Sequence, residues 1–306
     1  MSTTGPAPTA STAPTTRLDG KVAVITGAGQ GLGRAHALAL AGLGAALVLN
    51  DLGDTVHGVA DEITADGGRA TALTGDVADT GHGDALVAAA LATHGRLDVL
   101  VNNAGFTRDR MLFNMSEDDW DSVVRVHLKG HFSTSRAAAR HWRGTAKRTG
   151  RPAYGRIVNT ASEAFLLGSP GQANYAAAKA GIAALTTTCA HALGRYGVTA
   201  NAICPRARTA MTGEVFGPAP AGGPDPLGAE RVAPLVGYLA SPAAGHVTGQ
   251  VFVVHGGVIG VMAPPTVATA VRAEGGWTGA DQVAAALAHA DLPENGFVST
   301  DVEELA

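Results

Sequence analysis

The sequence predicts a doubly wound α/β fold, a parallel sheet covered by helices on both faces. Three observations carry the prediction. Strand-like and helix-like segments alternate from Lys21 to Val254. The strand candidates are short apolar runs joined by helical patterns, as parallel strands linked by right-handed crossovers require. The first run ends in Thr26-Gly27-Ala28-Gly29-Gln30-Gly31-Leu32-Gly33, a glycine-rich turn that opens a helix.

The elements follow in order. Val22-Ala23-Val24-Ile25 is a strand closed by Thr26-Gly27, and a helix covers 32–43. Ala46-Leu47-Val48-Leu49 is the second strand, closed by Asn50-Asp51. A polar helix over 55–66 leads to the strand Ala70-Thr71-Ala72-Leu73, and a helix over 84–94 leads to Leu97-Asp98-Val99-Leu100-Val101, closed by Asn102-Asn103-Ala104-Gly105. Ser116 is an N-cap with acidic residues in the turn after it. Trp120, Val123, Val124, His127, Leu128, His131 and Phe132 then recur at helical spacing along one long helix. Residues 145–156 form a basic loop, followed by the strand Arg156-Ile157-Val158-Asn159-Thr160. A helix over 172–190, a strand over 199–203, a helix over 229–240 and the strand Gln250-Val251-Phe252-Val253-Val254 complete the alternation. The Pro- and Gly-rich stretch 217–228 breaks the pattern, either as part of a substrate lid spanning 205–232 or as an ordinary loop. Beyond 262 comes an extension with one helix, over 280–289.

Composition narrows the function classes. Hydrophobic residues make up 46% and charged residues 16%, which suits a well-buried globule. Net charge is −4, without the basic excess a nucleic-acid partner would call for. No apolar run of about 18 residues predicts a membrane span. Residues 1–17, rich in Ser, Thr, Ala and Pro, read as a disordered tail. Cys189 and Cys204 read as free thiols in a reducing compartment, hence a cytoplasmic location. The eleven histidines lack ligand spacing, so no metal is expected.

Two clusters carry the chemistry. In Gly27-x-x-x-Gly31-x-Gly33, glycine permits a tight turn and close backbone approach, and the helix N-terminus offers free N–H groups to a pyrophosphate. Asp51 ends the second strand, where its carboxylate would take the adenosine ribose hydroxyls and repel a 2′-phosphate. With Gln30 in the turn and no Lys or Arg close after Asp51, the expected cofactor is NAD; Arg34 is the one nearby basic residue that argues for NADP. In the second cluster, Tyr175 and Lys179 share a helix face, four residues apart, and Ser162 stands where a strand ends. An ammonium beside a phenol favours the phenolate and lowers its pKa. That combination predicts proton transfer coupled to redox at an alcohol or ketone carbon.

Together these motifs, with Asn102-Asn103-Ala104-Gly105 and Pro205 after the sixth strand, resemble the short-chain dehydrogenase/reductase family over residues 18–262. The resemblance implies a single Rossmann-type domain with a short C-terminal extension, 263–306. It implies that Asp76 and Val77 flank the adenine, that Asn103, Ala104 and Gly105 line the cofactor, and that Pro205 to Thr209 cover the nicotinamide carboxamide. With Gly27, Gln30, Gly31, Leu32, Gly33, Asp51, Tyr175 and Lys179, these complete the expected cofactor site. It implies Ser162, Tyr175 and Lys179 as catalytic residues. Association as a homodimer or homotetramer through the helices of His127 and Tyr175 is implied as well.

Asn50-Asp51-Leu52-Gly53, Val126-His127-Leu128-Lys129-Gly130, Gly171-Gln172-Ala173-Asn174-Tyr175 and Val232-Ala233-Pro234-Leu235-Val236 are similar to the (3R)-hydroxyacyl-CoA dehydrogenase part of peroxisomal multifunctional enzyme type 2. That likeness implies interconversion of a (3R)-hydroxyacyl-CoA and its 3-oxoacyl-CoA. The alternatives are a free alcohol or hydroxysteroid, a 3-oxoacyl group on acyl carrier protein, or a non-catalytic NAD-binding sensor. His127 stands where most of the wider family has Asn; it is either a proton-relay residue or a satisfied core histidine. Arg206 replaces the usual Gly after Pro205. With Arg208 it is either a phosphate contact, to CoA or the cofactor, or a surface loop. Lys147, Arg148 and Arg151 are either a solvated face or a contact to a CoA phosphate.

Overall fold

A computed structural model describes residues 15–292. Most of the expected N-terminal tail, 1–14, and the end of the C-terminal extension, 293–306, lie outside the described residues.

Eight strands form one sheet: β1 (Val22–Thr26), β2 (Ala46–Asp51), β3 (Arg69–Thr74), β4 (Val99–Asn102), β5 (Gly155–Thr160), β6 (Val198–Pro205), β7 (Val251–His255) and β8 (Val258–Val261). Their spatial order is β3-β2-β1-β4-β5-β6-β7-β8. All neighbours are parallel except β8, which folds back antiparallel on β7. The order reverses between β1 and β4, and a crevice opens there beyond the strands' carboxyl ends. Chain reading missed β8. Its turn, Gly256-Gly257, is a two-residue hairpin signal, but Gly260 and the half-exposed Val258 to Val261 give a weak strand pattern.

The helices are α1 (Gly31–Gly42), α2 (Thr55–Ala65), α3 (Thr80–His94), α4 (Glu117–Val124), α5 (Gly130–Thr149), α6 (Ala164–Leu167), α7 (Ala173–Leu193), α8 (Gly213–Phe216), α9 (Ala233–Ala240) and α10 (Ala280–Leu287). Alternate strand residues face opposite ways, so the sheet feeds two cores. Ala23, Ile25, Leu47, Leu49 and Val101 pack with Leu40 of α1, Val59 of α2 and Val236 of α9. Val22, Val24, Val48, Leu100 and Ile157 pack with Leu86 of α3, Trp142 of α5 and Ala190 of α7.

Ser116 caps α4 as expected, in a reciprocal box with Asp119. The long helix predicted from its periodicity is real but interrupted: a π-turn, Arg125–Lys129, joins α4 to α5 and carries His127. The expected basic loop over 145–156 is a correction. The helix runs on to Thr149, and Lys147 and Arg148 fill its last turn, where cations complement the helix dipole. Just beyond, the Ala153 N–H bonds the Tyr196 carbonyl at 2.7 Å, beside the start of β6. This is the end of the sheet away from the crevice, about 30 Å of helix from the site by the usual rise per residue. This placement favours a solvated face for Lys147, Arg148 and Arg151 over a contact to a substrate phosphate.

Candidate active site

The dinucleotide end of the crevice is built from backbone. Gly27 has φ 64°, and a Cβ there would stand 2.7 Å from Ala104 Cα. A Cβ on Gly33 would lie 1.9 Å from the Gly27 carbonyl oxygen, so the turn closes on its own helix. Gly33 therefore shapes the cleft without lining it. Asn103 buttresses the turn: its side-chain amide donates to the Thr26 and Gly27 carbonyls at 3.2 Å each. The Asn103 and Ala104 N–H groups both donate to Thr26 Oγ1, at 3.0 and 3.2 Å. No side chain caps α1, and Gln30, Gly31 and Leu32 border a cleft of about 390 Å³.

Asp51 borders the same cleft at the end of β2. Its Oδ2 accepts the Gly29 N–H at 2.9 Å and its Oδ1 the Leu52 N–H at 2.7 Å, which orients the carboxylate. Arg34 is turned to α2, where it donates to both Glu62 oxygens at 2.6 and 2.7 Å. Asp76 and Val77 line the cleft beyond. Arg125, a residue that chain reading missed, donates to Asp76 at 2.5 Å from the start of the π-turn. Partial burial works to raise the Asp76 carboxyl, but the Ala78 N–H and the Arg125 guanidinium hold it below the ordinary value.

Tyr175 and Lys179 reach the cleft from the first turns of α7. Asn174, fully buried, fixes that helix end. Its amide donates to the Arg108 and Asp119 carbonyls at 3.0 and 2.8 Å and its oxygen accepts the Tyr175 N–H at 2.7 Å. Ser162 follows β5 and hydrogen-bonds the Tyr175 side chain. The Lys179 ammonium donates to the Thr160 carbonyl at 2.5 Å and stands 5.3 Å from the centre of the Tyr175 ring. His127 meets Tyr175 edge-on, ring centres 5.2 Å apart. Its Nε2 lies 2.6 Å from the Phe106 carbonyl oxygen, and its buried Nδ1 has no partner among the described residues.

The electrostatics correct one expectation. Burial, opposed by the Ser162 hydrogen bond, pushes the Tyr175 phenol up to about 12. Burial also brings the Lys179 ammonium down to about 7. Desolvation thus raises the phenol despite the Ser162 hydrogen bond, and lowers the neighbouring ammonium. Burial first, and the Lys179 charge second, take His127 down to about 3, so its imidazole is neutral.

A profile of the short chain dehydrogenases matches residues 21–217. The chain belongs to that family. It is 53% identical over 302 residues to the hydroxyacyl-CoA dehydrogenase ChsB1 of Mycobacterium tuberculosis, covering 94% of this chain and 95% of that one. It is 42% identical over 254 residues to the peroxisomal multifunctional enzyme type 2 of Mus musculus, covering 80% of this chain but 33% of that longer protein. Among solved structures, a short chain dehydrogenase from Mycobacterium avium matches with TM-score 0.81 and 45% identity, over 92% of this chain and 99% of the other. A gluconate 5-dehydrogenase from Burkholderia cenocepacia, in complex with NADP and tartrate, matches with TM-score 0.70 and 33% identity, over 79% and 96%.

A short chain dehydrogenase takes a nicotinamide dinucleotide, and the glycine cradle and uncapped helix of this one fit the pyrophosphate. Gly105, Pro205 and Thr209 line its cleft with the residues already named. Arg206 and Arg208, open from the sequence between a phosphate contact and a surface loop, both turn into the protein. Arg206 bonds Glu163 through two nitrogens, at 2.8 and 3.0 Å. Arg208 bonds Asp225 at 2.8 Å and the Phe216 and Gly217 carbonyls. Both guanidinium groups are committed to the protein, which argues against a phosphate contact. Of the segment 205–232, Pro205, Ala207 and Thr209 to Thr212 stand in the cleft wall. Among the described residues no cluster of His, Cys, Asp or Glu is suited to a metal. No described helix is long and apolar enough to cross a membrane.

Proposed function

We propose that this dehydrogenase interconverts (3R)-hydroxyacyl-CoA and 3-oxoacyl-CoA with NAD, through Ser162, Tyr175 and Lys179. The observation that carries it is that Tyr175 and Lys179 line the dinucleotide cleft and Ser162 hydrogen-bonds Tyr175, in a chain that aligns nearly end to end with a hydroxyacyl-CoA dehydrogenase.

In the oxidative direction Ser162 and Tyr175 hold the substrate hydroxyl between them. Ser162 donates to the oxygen and stabilises charge that develops there. Tyr175, as phenolate, takes the hydroxyl proton. Bound NAD⁺ supplies the hydride acceptor and a positive ring that, with Lys179, favours the phenolate. Lys179, buried and titrating about 7, stands ready to exchange a proton near neutral pH. His127 supports the Tyr175 ring edge-on, and its unpartnered Nδ1 is the ring nitrogen open to a relay. Reversed, the same groups reduce the ketone.

NAD is favoured over NADP by the oriented Asp51 carboxylate and by the commitment of Arg34 to Glu62. The proposal extends to self-association and location. Ala177, Ala180 and Ala184 form an exposed small-residue stripe on α7, and Trp120 and Phe132 are exposed on the neighbouring helices, surfaces suited to a second copy. Both cysteines are free thiols, in keeping with a reducing, cytoplasmic setting.

The test is turnover with NAD or NADP against a panel of CoA thioesters, free alcohols and steroids, read at the NADH band. A (3R)-hydroxyacyl-CoA with NAD is expected to give the highest rate. A clear preference for NADP, or for a free alcohol, refutes that part of the assignment. Tyr175→Phe is expected to abolish turnover and leave cofactor binding intact; retained activity refutes the mechanism.

A further inference from the structure

The loop that carries Ser162 and the root of the lid leave adjacent strands. β5 and β6 pair as far as Thr160 and Ile203, and the Ala161 N–H still bonds the Ile203 carbonyl at 2.8 Å. Beyond that point no ladder joins the two chains. One turns into Ser162 and α6; the other passes through Pro205 into the lid.

A side-chain pair takes over from the ladder. Glu163, the residue after Ser162, accepts from Arg206 Nε at 2.8 Å and from its terminal nitrogen at 3.0 Å. The two side chains are 9% and 18% exposed. Two parallel charge-assisted bonds set angle as well as distance. Exposed pairs such as Arg108–Asp118, with side chains 45% and 79% exposed, have solvent to compete with them. Both ends of the buried pair are anchored. The Arg206 N–H bonds the Val254 carbonyl of β7 at 3.0 Å. The Glu163 carbonyl accepts from Leu166 and Leu167 of α6, and Ser162 Oγ accepts the Ala164 N–H at 3.2 Å. The serine thus belongs to a short turn whose next residue is clasped to the lid root. Glu163, Arg206 and Ser162 itself stand outside the cleft lining, which Ser162 reaches through its hydrogen bond to Tyr175.

We propose that Glu163 and Arg206 are positioning residues for Ser162, holding its hydroxyl against Tyr175 by docking the serine loop onto the lid root. The inference rests on the catalytic reading of Ser162 and Tyr175. The pair touches no substrate and acts through the serine alone.

The test is steady-state kinetics on the full chain, with NAD and the panel substrate of highest rate, for Arg206→Met, Arg206→Lys, Ser162→Ala and the double variant Ser162→Ala with Arg206→Met. Cofactor affinity and thermal midpoint are measured on each. Arg206→Met is expected to lower kcat about tenfold or more, with substrate KM and cofactor Kd moving less than about threefold. Arg206→Lys, which keeps the charge but loses the fork, recovers part of the rate. In the Ser162→Ala background, Arg206→Met has no further effect on the residual rate, because both variants remove one function. A kcat within about twofold of the parent for Arg206→Met, or an equal loss repeated in the Ser162→Ala background, overturns the proposal. Should Arg206→Met fail to fold, Arg206→Lys decides: a lower kcat at an unchanged midpoint supports the clasp, and an unchanged kcat overturns it. Ser162→Ala at the parent rate refutes the catalytic reading itself, and the clasp with it.

Discussion

The two ends of the cleft are held by different means. At the dinucleotide end, backbone packs on backbone: Gly33 against the Gly27 carbonyl, Gly27 against Ala104, with Asn103 laced to the turn. At the substrate end, irregular loops are held by side chains: Arg206 to Glu163, Arg208 to Asp225, and the Asn174 amide to Arg108 and Asp119. The first device tolerates no added atom but keeps its shape whatever the charge state. The second tolerates changes in size but depends on charge and on partners distant in the chain. The end that binds one invariant cofactor is rigid, and the end that must accept a chosen substrate is tied by contacts that can be retuned.

Substitutions can break that contrast. Gly33→Ala is expected to have the largest effect, because its Cβ would collide with backbone that has nowhere to move. Cofactor affinity should fall by about 100-fold, read by NADH fluorescence titration. Gly81→Ala, where a Cβ meets nothing closer than 3.4 Å, serves as the control. Normal cofactor binding by Gly33→Ala would show that the turn is not rigid.

His36 sharpens the comparison on stability. It is fully buried in α1, neither ring nitrogen has a hydrogen-bond partner among the described residues, and burial takes it down to about 4. The folded state therefore binds this proton later than the unfolded chain does. Stability is fully present above pH 6.5 and declines as pH falls from 6.5 toward 4, by about 1.4 kcal/mol per unit from this residue. His36→Leu should remove that part of the acid dependence. Urea melts of both proteins at pH 7 and pH 5 measure it, and parallel losses in the two would refute the assignment.

The smallest effect is expected in the loop after β6. Arg208→Met frees residues 216 and 217 and Asp225 from their common donor. Substrate KM should rise about fivefold at unchanged cofactor affinity. A fall in cofactor affinity instead would place the arginine's influence at the dinucleotide end and blur the contrast between the two regions.

How much could be read from the chain follows the same divide. The glycine turn, Asp51 and the Tyr175–Lys179 spacing were legible because each is a local pattern with a local physical meaning. The inner strands were legible because a strand buried on both faces must be apolar throughout, and the half-exposed edge strand β3 by its place in the alternation. The Asp76–Arg125 and Glu163–Arg206 pairs were not, since their members are 49 and 43 residues apart and nothing near either one announces its partner. Arg206 and Arg208 stayed open between a phosphate contact and a surface loop for that reason: the chain shows a charge and not what neutralises it. The π-turn was hidden because its residues keep a helical apolar rhythm.

The order of elements, the position of the glycine cradle and the chemical identity of the serine, tyrosine and lysine were determined by the sequence alone, because periodicity and backbone freedom are properties of neighbouring residues. Tertiary structure alone decided the direction in which burial shifts that tyrosine and lysine, the neutral state of His127 and the partners of Arg206 and Arg208. Those outcomes depend on how much water and which distant charge surround a group once the chain has closed over it, and burial there raises the phenol and lowers the ammonium and the imidazole.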